Sequence, residues 1–112
     1  IFGNISASPM EGILAVKAVA DRDPGNLYAQ MVLGKGDLKS NQLDKAIERF
    51  QFVVSKDPLN LEAIFNLAES YDRKGDKTNA INWYKKAQDM IGLPEAKKEI
   101  QDRIDALSKT DL

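Results

Sequence analysis

Histidine and cysteine are both missing from the 112 residues. Without cysteine the chain forms no disulfide, carries no thiol nucleophile and offers no thiolate to zinc. Without histidine it lacks the commonest general acid–base group and the usual pH switch. Absence of cysteine leaves the compartment open, because reducing and oxidising surroundings both accept such a chain. No apolar run reaches the ~18 residues that would span a bilayer, so no membrane insertion is expected within this sequence. Net charge is also lacking: 16 basic residues face 17 acidic ones, with no long block of either sign. A phosphate backbone would find no electrostatic footprint, and nucleic acid is not an expected partner.

What is present fits a folded chain. Hydrophobic content of 43% with 29% charge argues for one domain over residues 1–112 and against disorder. The first residues, Ile1 to Ser8, have no basic segment followed by an apolar one, so no signal peptide is expected there. A start on Ile suggests a fragment or processed chain, which leaves open a targeting segment or anchor upstream.

The strongest pattern is a repeat. Asp23-Pro24-Gly25-Asn26 returns as Asp57-Pro58-Leu59-Asn60, 34 positions later. The same offset carries Ile13 to Ile47 to Ile81, Val16 to Phe50 to Tyr84, and Leu33 to Leu67. A period of this length marks a helical solenoid, in which each unit buries its apolar face only against its neighbours.

Local signals divide the chain into six helices, and no strand pattern competes. Residues 1–8 read as irregular. Ser8 is placed to cap a first helix that has Pro9 at its first position and Glu11 three residues after the Ser. Asp23-Pro24 stops it. Asn26 caps a second helix that ends in the polar stretch Lys39 to Asn41. Leu43 to Ser55 is the third, with Leu43, Ala46, Ile47, Phe50, Val53 and Val54 on one stripe. Asn60 caps the fourth, Gly75 supplies its left-handed end, and Asp76 caps the fifth. Gly92 and Pro94 mark a corner before a last helix, Pro94 to about Ser108, whose apolar positions are Ala96, Ile100, Ile104 and Leu107. Fraying is expected after Lys109. Trp83 lies off the main stripe of the fifth helix, either half exposed or covering the last one.

At this period the residues resemble the tetratricopeptide repeat. Residues 27–60 supply Leu33, Gly34, Ala46, Phe50, Val53 and Pro58 of its motif, but place Gln30 where Trp is usual and Asp37 where Tyr is usual. Residues 61–94 supply Leu67, Ala68, Tyr71, Gly75, Ala80, Tyr84 and Ala87. Upstream, 9–26 looks like the second helix of a repeat lacking its first, and 95–108 reads as a capping helix. The small residues Gly34, Ala46, Ala68 and Ala80 stand where helix backbones cross closely, with Phe50 and Tyr84 filling the space beside them.

The resemblance implies an all-α solenoid whose first helices face a concave side. That side would present Tyr28, Met31, Lys35 and Leu38, then Glu62, Phe65, Asn66, Glu69, Asp72 and Arg73. Met31 and Phe65 read equally as groove anchors or as partly buried residues touching neighbouring helices. The clamp that grips acidic chaperone C-termini is not expected: its positions read Met31, Lys35 and Asn66, and only Asn66 fits. The composition also resembles bacterial envelope-type repeat proteins, so the cell envelope or the cytoplasm are both open as locations.

Sites for chemistry are few. Gly34-Lys35-Gly36 lacks the spacing of a phosphate loop and reads as close packing at Gly34. Asp102/Asp105 and Glu95/Glu99 have metal-like spacing, but interleaved Lys and Arg make them a solvated face. Asn4-Ile5-Ser6 matches a glycosylation sequon and reads as a chance match. The expected function is therefore a non-enzymatic, cofactor-free scaffold that binds a protein or peptide on its concave face. Alternatives are a homo-oligomerisation module, covering the unpaired first helix, and a regulatory domain of a larger protein.

Overall fold

The computed structural model describes residues 9–109. The expectations for Ser8, the sequon, the irregular start and fraying beyond Lys109 lie outside the described residues. Within them six α-helices follow one another: α1 Pro9–Arg22, α2 Leu27–Lys39, α3 Leu43–Lys56, α4 Leu61–Lys74, α5 Lys77–Met90 and α6 Pro94–Lys109. No strand occurs among these residues. The third and sixth helices each run one residue beyond their expected ends, a difference within ordinary boundary variation.

The repeated tetrapeptide folds into the same turn twice. Asp23 N donates to Val19 O at 2.8 Å and Asn26 N to Asp23 O at 3.0 Å. Thirty-four residues later Asp57 N donates to Val53 O at 2.8 Å and Asn60 N to Asp57 O at 3.1 Å. Each asparagine then caps the next helix: Asn26 Oδ1 accepts from Ala29 N at 3.0 Å, and Asn60 Oδ1 from Ala63 N at 2.9 Å. Each cap satisfies one of the amides that a helix start leaves unpaired.

The turns within helix pairs repeat too. Gly75 ends α4 with φ 88°, and at the same offset upstream Asn41 has φ 63°. Asparagine is among the few side-chain-bearing residues that visit this region routinely. Asp76 Oδ1 accepts from Asn79 N at 3.2 Å to cap α5, whereas Gln42, its counterpart before α3, makes no side-chain cap.

Packing is sequential, each helix against the next, with an additional contact between α2 and α4. The molecule is accordingly elongated, 51 × 28 × 26 Å. One core cluster joins Met31 and Leu38 of α2 to Ala46, Ile47, Phe50 and Val53 of α3 and Ala63 and Leu67 of α4. A second joins Ile64 and Ala68 to Ala80, Tyr84 and Ala87, closed by Ile100, Ile104 and Leu107 of α6. Burying a side chain such as Phe50 or Leu67 stabilises the fold by about 1.5–3 kcal/mol. Trp83 is half-buried and packs against both clusters, with Lys86 Nζ 5.5 Å from its ring centroid.

Gly34 sits where α2 meets α3. A β-carbon there would lie 2.8 Å from Phe50 Cε1, so the close crossing expected from the sequence is real. At the N-terminal end a small cluster of Ala20, Ala29 and Leu33 holds α1 to α2. Ile13 and Leu14 stay 36% and 58% exposed.

Candidate concave-face binding site

Two first helices, α2 and α4, lie side by side with α3 behind them, and α6 follows beyond α4. Between α2 and α4 runs a cleft of about 630 Å³, lined by Lys35, Leu38 and Lys39 on one wall and Asn66, Glu69 and Arg73 on the other. Ile13 of α1 reaches its rim, 3.9 Å from where a β-carbon on Gly36 would sit. The volume lies in the range of ligand-holding clefts.

Its polar groups are ordered. Arg73 Nη2 donates to Glu69 Oε2 at 2.6 Å, and its Nη1 reaches across to the Leu38 carbonyl at 3.2 Å. That bond ties the two walls together at the carbonyl-bearing end of α2. Lys35 Nζ pairs with Glu62 Oε2 at 2.9 Å, a second bridge from α2 to α4. Asn66 Nδ2, by contrast, is buried and has no hydrogen-bond partner among the described residues.

Of the expected face, Lys35, Leu38, Asn66, Glu69 and Arg73 therefore share one cleft. Tyr28, 74% exposed, and Met31 line a smaller recess of about 270 Å³ with Lys35 and Glu62. Phe65, 38% exposed, faces away from both, into a third cleft with α6. There it meets Tyr84 edge-on, ring centroids 5.8 Å apart.

Three side chains are less open than a presenting face requires, Met31 among them by the buried alternative weighed for it. Met31 and Leu38 are each only 7% exposed and belong to the first core cluster. The reason is packing from behind and beside: α3 supplies Ala46, Ile47, Phe50 and Val53 to that cluster, and α4 supplies Ala63 and Leu67. Asp72 is the third. Arg103 grips its carboxylate in bidentate fashion, Nε to Oδ2 at 2.7 Å and Nη2 to Oδ1 at 2.6 Å, and the Tyr84 hydroxyl donates to Oδ2 at 2.9 Å. Its side chain is 11% exposed, and the pair joins α4 to α6.

This ion pair shapes the local electrostatics. The Arg103 guanidinium holds the Asp72 carboxyl below the usual carboxylate range, with burial opposing and the Tyr84 hydroxyl assisting. Burial, and then the hydrogen bond to Asp72, push the Tyr84 hydroxyl well above the ordinary phenol value. Arg103 is raised in turn by its bond to Asp72. Asp72 and Arg103 thus stay ionised across neutral pH while the Tyr84 hydroxyl keeps its proton, and the three act as a fixed clasp.

Residues of α6 were not among those expected at the face, although Ala96 and Glu99 line the α4–α6 cleft. The signal was available: the 34-residue offset carries Glu62 to Ala96 and Phe65 to Glu99. Of the acidic pairs weighed for a metal, Asp102 and Asp105 are otherwise engaged, Asp102 with Lys98 at 3.1 Å and Asp105 with Gln101 at 2.9 Å. Among the described residues no helix is long and apolar enough to cross a membrane.

Comparison with known proteins agrees with this architecture. The tetratricopeptide repeat family model matches residues 31–92. SycD, the type III secretion translocator chaperone of Yersinia enterocolitica, superposes with a TM-score of 0.77 at 19% identity, over 88% of this chain and 71% of its own. A Bordetella parapertussis protein gives 0.73 at 20% identity, covering 88% and 89%. A tetratricopeptide repeat domain protein of Salinibacter ruber gives 0.64 at 22%, covering 80% and 93%. No curated protein matches the sequence. With its model matched over more than half the residues, and with helices, turns and core spaced as described, the chain belongs to the tetratricopeptide repeat family, whose domains in general mediate protein–protein interaction.

Proposed function

We propose that the face formed by α2, α4 and α6 holds an extended segment or helix of another protein, without catalysing a reaction. Residues 27–60 and 61–94 act as two full repeats, 9–26 as a half repeat and 95–108 as the cap that ends the stack. The observation that carries the reading is Asn66: its buried Nδ2 has no partner among the described residues, at the wall of the α2–α4 cleft. An unmade hydrogen bond there is costly, and a turn of the Asn66 amide toward the cleft it lines would let an acceptor on a bound chain satisfy it. Lys35 and Arg73 set charge around that position, and the exposed ring of Phe65 adds apolar surface in the next cleft along. The translocator chaperone among the fold relatives is a precedent for such a stack holding another protein.

Alanine at Lys35, Arg73 and Phe65 tests the reading. Each change is expected to weaken capture of the partner while the circular dichroism melt stays cooperative. Capture unchanged in all three folded variants would sink it.

A second reading, self-association, has its own observation in the exposed Ile13 and Leu14 of α1. Sedimentation over a concentration range decides it: a monomer throughout excludes pairing by that face.

A further inference from the structure

The cleft between α4 and α6 differs in chemistry from the one between α2 and α4. It encloses about 470 Å³, and its floor is apolar: Leu61 and Phe65 from α4, Ile91 from the preceding corner, Ala96 and Ile100 from α6. Its charged lining residues are Glu62 and Glu99. A shallower recess adjoins it through Ala96 and Glu99 and adds Leu93, 70% exposed, and Glu95. No lysine or arginine is among the described residues lining either space. Glu62 keeps Lys35 as a partner, but Glu95 and Glu99 have no ion pair among the described residues. The neighbouring α2–α4 cleft has the opposite balance, Lys35, Lys39 and Arg73 against Glu69.

We infer that the α4–α6 cleft is a socket for one bulky apolar side chain of a bound peptide, and that the peptide carries a lysine or arginine within two residues of it. The inference rests on the concave-face reading and specifies the partner's chemistry. The apolar floor supplies the desolvated pocket that anchors a hot-spot side chain. The acidic rim rewards a cation beside that anchor and penalises an anion, which gives selectivity more than affinity.

Selection of phage-displayed random peptides on the intact chain, followed by fluorescence polarisation with synthetic copies, tests it. Enriched sequences are expected to share an aliphatic or aromatic residue with Lys or Arg within two positions. Ala96→Phe, which fills the socket, should weaken their binding about tenfold or more. Because that change could disturb α6 packing, Glu95→Lys with Glu99→Lys provides an exposed control. It should cost about fivefold and shift preference to peptides with Glu beside the anchor.

Selected peptides that lack the pairing, or that bind Ala96→Phe and the lysine variant within twofold of the parent, overturn the socket. If Asn66→Ala or Arg73→Ala still abolishes their binding, the concave-face reading survives that failure. If no peptide is enriched, both fall. A concentration-dependent dimer lost in Ala96→Phe would assign the cleft to a second copy and overturn the inference.

Discussion

Arg49 Nε donates to Asp37 Oδ2 at 3.0 Å, and the same guanidinium gives Nη1 to Gln30 Oε1 at 2.8 Å. Gln30 and Asp37 are the two positions of the first repeat that depart from the large aromatic residues usual there. The structure shows them acting together: two polar residues on α2, about two turns apart on the same side, are joined by a single arginine of α3. A hydrogen-bonded bridge stands where aromatic packing is the usual solution.

The bridge is part-buried, with side-chain exposures of 28% for Arg49 and 16% for Asp37. Arg49→Ala should therefore destabilise the chain by about 1–2 kcal/mol, because it strands two acceptors as well as removing an ion pair. Urea denaturation of Arg49→Ala, Asp37→Ala and the double variant checks this. The double should lose less than the sum of the singles.

Gly34→Ala is expected to be unfavourable although alanine is the better helix former by about 1 kcal/mol. The added β-carbon meets the Phe50 ring, which is fully buried and has no room to retreat. The overpacking should leave a net loss of about 1–2 kcal/mol. Phe50→Leu in the Gly34→Ala background should recover less than it would cost alone, a coupling that thermal melts of the four variants will measure.

Acid should loosen the α4–α6 clasp. Asp72 is held below its unfolded value, so its contribution is fully present above a pH of about 4 and is lost as pH falls through the folded value. Asp72→Asn should cost about 1 kcal/mol at neutral pH. The gap between parent and variant should close progressively below about pH 4. Urea midpoints between pH 7 and 2 read it directly; a gap that widened in acid would reverse the assignment.

The missing cap on α3 offers a stabilising change. Gln42 occupies the position before the helix but makes no side-chain cap, whereas Asp76 caps α5 at the matching place. Gln42→Asp should raise stability by about 0.5–1 kcal/mol, and Asn60→Ala should lower it by about 1 kcal/mol. Melting temperatures of the two variants should move in opposite directions.

Helix positions were legible because their signals are local. Proline, a capping Asn or Asp, and Gly75 act within a few residues of themselves, so the four-residue turn at 57–60 could be foreseen from its copy at 23–26. Asn41 was harder: a polar turn residue gives no sign of a positive φ until Gly75 is set against it by register. Exposure was the least legible property. Met31 and Phe65 occupy equivalent positions, yet one is 7% exposed and the other 38%. The difference arises outside either helix, because α4 approaches α2 closely whereas α6 stands off from α4. Likewise Asp72 turned from the groove because Arg103, 31 residues on, was there to bind it.

The succession of contacts from each helix to its neighbour also bears on how the chain acquires its shape. Nearly every contact closes a short loop, so little chain entropy is lost before packing begins to compensate it. Such a topology folds quickly, and can begin at either helix pair and spread. Loss of structure should run the other way, starting at α1, whose hold on the stack is the small cluster around Ala20, Ala29 and Leu33. Amide hydrogen exchange should then be fastest along α1 and slowest where α3 and α4 enclose Phe50 and Leu67. The walls of both clefts rest on α4, so the surface offered to a partner is anchored in the part of the molecule that opens last.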